Sequence, residues 1–162
     1  MTVHYTPGQL RSAMAIPQET YRHWRKALAP LRRGTGHSPC FTAGDLLAVA
    51  IVRALTGDFA IRVGAISAVA EALFEACNAA SWPILERSKL IADLANGRLQ
   101  FRPELENVVF ETPALVIPLR PLVGHLRDAL LTDGGVDSQE TLRFPPTPLP
   151  SKAEAVSTGG RS

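Results

Sequence analysis

Six long basic side chains gather near the start of this 162-residue chain: Arg11, Arg22, Arg25, Lys26, Arg32 and Arg33, with Glu19 the single acid before residue 42. That block carries +5, while the remainder holds 11 of the 17 bases against 14 of the 15 acids, or −3. The chemistry open to such a cluster is anion binding. Guanidinium groups grip phosphates bidentately, and neutralising a nucleic-acid backbone releases its condensed counterions. An ordinary solvated basic face fits the same count, so charge alone leaves both readings open.

Other chemistry finds less support. The four histidines, His4, His23, His37 and His125, have no Cys or acid partners at ligand spacing, which argues against a metal site. Cys40 and Cys77 are too few for a disulfide framework and read as reduced thiols, with packing the leading role for each and a sensor role the alternative for Cys40. Ser67 and Ser81 lie in no nucleophile motif, and no glycine loop of phosphate-cradling pattern appears. The expectation is a protein without enzymatic activity or cofactor. An apolar fraction of 46%, 20% charged residues and a mean hydropathy of +0.06 describe a globular chain. No apolar run reaches the ~18 residues of a spanning helix and no leader pattern opens the sequence, so the expected setting is cytoplasmic, without a membrane partner.

The elements that must hold the basic residues announce themselves by their caps. Tyr5-Thr6-Pro7-Gly8-Gln9-Leu10 and Phe41-Thr42-Ala43-Gly44-Asp45-Leu46 share one helix-start grammar: a threonine cap, an answering polar residue three positions on, and an apolar staple around them. The spacing predicts a first helix ending near Ser12 or Ala13, a tight turn, and a second helix from Pro17 or Gln18 to Ala27. On that helix Tyr21, Trp24 and Leu28 form an apolar stripe, leaving Arg22, His23, Arg25 and Lys26 on the other faces. The basic, glycine-rich segment Arg32-Arg33-Gly34-Thr35-Gly36-His37-Ser38-Pro39 suits a hairpin or wing. A third, almost wholly apolar helix follows over residues 43–55, and a fourth over residues 63–78.

This order of parts resembles the DNA-binding domain of the MerR family of bacterial transcription regulators over residues 4–78. The matching residues are Tyr5-Thr6-x-Gly8-x-Leu10, then Glu19-Thr20-Tyr21-Arg22-His23-Trp24, then Phe41-Thr42-x-x-Asp45-Leu46. The resemblance implies that the helix spanning residues 18–26 enters the major groove. Arg22 would then contact DNA, with His23, Arg25, Lys26 and Gln18 around it and Arg32, Arg33 and His37 reaching from the wing. Three features depart from the family: Pro39 and Cys40 replace wing positions that are often basic, Pro17 replaces a hydroxyl cap, and the long pairing helix is missing.

Beyond Trp82-Pro83 the pattern changes. Residues 89–94 and 98–102 flank Ala95-Asn96-Gly97 as a hairpin, with a helix through Leu94 as the competing reading. Leu115-Val116-Ile117 reads as a buried strand and residues 121–131 as a short helix. The fold expected is mainly α: a winged helix-turn-helix over residues 1–80, a small α+β unit over 81–131 that pairs subunits or meets a partner, and a disordered Pro/Ser/Gly-rich tail over 132–162. The function expected is that of a homodimeric, site-specific regulator bound to double-stranded DNA at the nucleoid, with RNA polymerase or another protein as a further candidate partner. Its rivals are an excisionase-like accessory protein of recombination or genome maintenance, and an interaction adaptor that keeps the fold without the DNA contacts.

Overall fold

Helix α1, Pro7–Met14, starts on a capping box in which the Thr6 hydroxyl accepts from the Gln9 amide at 3.1 Å and the Gln9 side chain accepts from the Thr6 amide at 2.9 Å. It ends at Ala15, whose φ of 48° is left-handed, so that the chain reverses within residues 15–17. Helix α2, Gln18–Ala27, follows without a side-chain cap, because Pro17 has no hydroxyl to offer. Tyr21 and Trp24, together with Leu28 just beyond the helix, are buried as the spacing predicts and dock α2 on the rest of the protein. The computed structural model describes residues 3–34 and 36–140, with side chains to residue 132.

After α2 the structure departs from the expected hairpin. Residues Ala29–Arg33 form a 3-10 turn, and no strand pair occurs among the described residues of 34–40. The cause is local. Pro30 and Leu31 are drawn into the core, and Gly34 lies so close to the Phe41 ring that a Cβ there would stand 2.9 Å from it. The pairing that does occur is a single antiparallel bridge between Tyr5 and Phe41. It brings the two matching helix starts side by side, for Thr6 and Thr42 follow the two bridged residues directly.

Helix α3, Ala43–Gly57, repeats the capping box with Thr42 and Asp45 and is buried nearly all round through Leu46, Leu47, Val49, Ile51, Val52 and Leu55. The expected fourth helix is interrupted: α4, Val63–Ile66, passes through a 3-10 turn, Ser67–Val69, into α5, Ala70–Ala79. At the interruption the Ser67 hydroxyl donates to the Gly64 carbonyl at 2.6 Å, a local bond that competes with regular α-helical geometry. Asn78 near the end of α5 donates to the buried Asp45 carboxylate at 2.9 Å, which ties α5 to the start of α3. Gly44 permits this approach, since a Cβ there would lie 2.6 Å from the Asn78 side chain.

A short helix absent from the sequence reading, α6, Trp82–Glu86, leads into β1, Ser88–Asp93, and β2, Arg98–Pro103. The Asn-Gly hairpin is present and the helical alternative through Leu94 is overturned: Gly97 takes φ of 64°, and Asp93 accepts from the Asn96 amide and side chain. With β3, Leu115–Pro118, the strands form an antiparallel sheet of order β2-β1-β3. Leu90 stands opposite Phe101 and Ile117 on the face turned to the helices, and Ile91 opposite Gln100 and Val116 on the other.

Helix α7, Arg120–Glu140, runs past the boundary expected at residue 132. Helix elongation adds one hydrogen bond per residue fixed, so a turn anchored by Val123 and Leu126 propagates more readily than a new helix starts. The disorder expected of the tail falls, for residues 141–162, outside the described residues. The protein is thus mainly helical with one small sheet, and α7 packs on α1, α3 and α6. One apolar cluster runs from Leu10 through α3 and α5 to Leu90, Ile117 and Leu126, joining both expected units. No helix among the described residues is long and apolar enough to cross a membrane.

Candidate nucleic-acid interface

Burial of Tyr21, Trp24 and Leu28 turns the opposite side of α2 to solvent. There Arg22, His23 and Lys26 are exposed and Arg25 is half-buried. Together with Arg32 and Glu19 they line an open groove of about 600 Å³. Four permanent cations thus face one carboxylate across a surface the width of a helix. Glu19 is bound to Arg22, Oε1 to Nη1 at 2.9 Å, with both side chains mostly in water.

Arg32 is held differently. Its Nη2 donates to the Lys26 carbonyl at 2.8 Å and its Nε to the Arg25 carbonyl at 3.4 Å. These carbonyls belong to the last turn of α2, where no intrahelical amide is available to them, and a cation there also opposes the helix dipole. Arg32 therefore closes the C-terminal end of α2 while its charge remains at the edge of the groove.

Of the residues singled out by sequence, the fold brings Arg22, His23, Arg25, Lys26 and Arg32 together. Gln18 is exposed at the start of α2 outside the groove lining, and His37 is exposed in the segment that follows the 3-10 turn. Arg33 points elsewhere: it lines a separate cleft with Thr42, Asp45, Glu71, Phe74, Glu75 and Asn78. Sequence reasoning passed over Glu19 as a groove residue although its spacing to Arg22, three along a helix, was the available signal. The inward turn of Arg32 had no such signal.

Behind the groove, Tyr21 has a buried hydroxyl with no hydrogen-bond partner among the described residues, and Arg11 Nε shares that condition. Burial raises the Tyr21 pKa above its ordinary value, against the opposing pull of Arg25. Burial and the nearby Asp45 also raise that of Cys40. A thiol shifted upward is protonated at neutral pH, the reverse of what thiolate reactivity requires. Cys77, buried in α5, is pushed up to about 12.

No protein-family model, curated protein or solved structure matches the chain.

Proposed function

We propose that the chain is a site-specific protein of double-stranded DNA, that it acts as a homodimeric transcription regulator, and that α2 is its recognition helix. The observation that carries this reading is the groove along α2, where Arg22, His23, Arg25, Lys26 and Arg32 surround a solvent-facing surface while Tyr21 and Trp24 anchor the opposite side. A helix fixed by one apolar face and armed with long donors on the other is what major-groove recognition requires. In this reading α1, the turn and α2 make a helix-turn-helix, and residues 34–40 occupy the place of the wing. Two-fold pairing would double the few base pairs that one short helix reads, and the exposed Val109, Phe110 and Val116 beside the sheet offer surface for it.

The adaptor reading draws on a different observation. Arg32 is engaged with α2 and Arg22 with Glu19, so fewer donors are free than the charge count suggests. Binding of the full chain to mixed-sequence duplex DNA across a salt series decides between them. Affinity that falls steeply and linearly on a log-log plot supports the DNA interface, and no binding at low salt refutes it.

A further inference from the structure

Glu19 is out of place on a surface that merely attracts phosphate. It is the single acid before residue 42, and it lies in the groove wall among the cations. A carboxylate in the first turn of a helix opposes the dipole, but position 18 or 20 would serve that purpose equally. Position 19 stands three residues before Arg22 on the same face of α2, and Glu19 holds Arg22 by a single contact of 2.9 Å between Oε1 and Nη1. Oε2 of Glu19, and Nε and Nη2 of Arg22, have no protein hydrogen bond among the described residues, and the two side chains are 82% and 62% exposed. The pair therefore presents a free acceptor beside free donors.

Glu19 sits in the first turn of α2 and Arg22 one turn on, in the middle of the helix, whereas Arg25, Lys26 and Arg32 sit at its C-terminal end. In helix-turn-helix docking the N-terminal residues of the recognition helix meet base edges. Guanine offers two acceptors there, and cytosine an amino donor that suits a carboxylate. We propose that Glu19 reads sequence: its free carboxylate oxygen accepts the amino N–H of a cytosine next to the guanine contacted by Arg22. The inference rests on the DNA-binding reading above. Guanine O6 or thymine O4 at the cytosine position would face Glu19 acceptor to acceptor, so Glu19 rejects those bases and lowers affinity for arbitrary DNA at the same time.

Selection of sites from randomised duplex DNA by the full chain, followed by competition titrations, tests this with Glu19→Ala and Glu19→Gln. For the wild-type chain, replacing the selected cytosine by guanine or thymine is expected to weaken binding by about tenfold. In Glu19→Ala that penalty disappears while binding to unselected DNA strengthens. A Glu19 variant that strengthens binding to every sequence by one common factor, with the base preference intact, overturns the inference and leaves DNA binding standing. A wild-type chain that selects no site and binds no duplex at low salt removes the DNA reading itself, and the inference with it. Because Glu19 is exposed, an unchanged thermal melt establishes that the variants are folded.

Discussion

The Arg32 guanidinium lies 2.8 Å from the carbonyl oxygen of Lys26, and so a residue six positions downstream closes the helix that carries the basic groove. Replacing Arg32 by alanine leaves two terminal carbonyls without that donor. The expected cost is about 1 kcal/mol, a fall of roughly 2–4 °C in melting temperature for a chain of this size. Amide exchange in the last turn of α2 should quicken. An unchanged melt, with the salt slope of DNA binding reduced by about one, would make Arg32 a phosphate contact instead.

Arg22→Ala tests the groove directly. The residue lies off the buried Tyr21 and Trp24 stripe, and its ion pair is exposed, so stability should move by less than about 1 kcal/mol. Affinity for a selected site should fall by ~1–3 kcal/mol, while binding to unselected DNA changes less. Wild-type affinity in the variant, measured by titration, refutes the placement of the recognition helix.

Asp45 is buried at 2% exposure and accepts from the Thr42 amide at 2.9 Å and from Asn78 at 2.9 Å. Asp45→Ala removes half of the capping box and leaves the Asn78 amide with one partner fewer. Together these should cost about 2 kcal/mol or more in denaturant unfolding. Asn78→Ala and the double variant complete a cycle. Strictly additive losses would show that the two side chains do not cooperate.

Acid should unfold the protein partly through Asp93 and Glu86. Hydrogen bonds from Asn96 and Thr112 hold the Asp93 carboxyl below its ordinary range, and the hydrogen bond from Arg127 does the same for Glu86. A carboxyl with a lowered pKa in the folded state binds fewer protons there than in the unfolded chain. Its contribution is therefore complete above the unfolded value of about 4 and is lost as pH falls through the folded value. Thr112→Val, which deletes the 2.8 Å bond to Asp93, should lower the neutral-pH melting temperature and flatten its decline as pH falls below the ordinary carboxylate range. Parallel melting curves for variant and wild type would exclude that hydrogen bond as the cause.

Pairing through the outer side of the sheet predicts that Val109→Glu or Val116→Glu makes the chain monomeric while its circular dichroism is kept, since these side chains are 91% and 41% exposed. Sedimentation of full-length protein is the measurement. A wild-type monomer at micromolar concentration, or variants that still pair, would dispose of this surface. Truncation after Asn78 is a poorer test, because α7 packs on α1 and α3 and its loss would expose their core face.

What the sequence disclosed was local. Thr6 with Gln9 and Thr42 with Asp45 marked two helix starts because capping involves residues three apart, and Asn96-Gly97 marked the hairpin because that turn demands a left-handed backbone that glycine supplies. The stripe of Tyr21, Trp24 and Leu28 foretold which side of α2 is buried, and hence the cations facing the groove. Features decided by distant partners stayed hidden. The inward pull on Leu31, the bond from Arg32 back to α2, and the fusion of both units into one core depend on contacts that no spacing encodes. The length of α7 was hidden for another reason: Gly134 and Gly135 disfavour helix by about 1 kcal/mol each, yet the helix runs through them.

The bridge between Tyr5 and Phe41 closes the backbone around the segment that carries the basic surface. With the Tyr5 amide donating to the Phe41 carbonyl at 2.7 Å, and the Phe41 amide to the Tyr5 carbonyl at 3.1 Å, the backbone from residue 5 to residue 41 is a closed ring with α2 inside it. Closing a loop of that length costs about 3 kcal/mol in chain entropy before any contact across it is gained. Every residue that lines the groove lies within that ring, so the whole basic surface is confined between two chain ends that the bridge holds together.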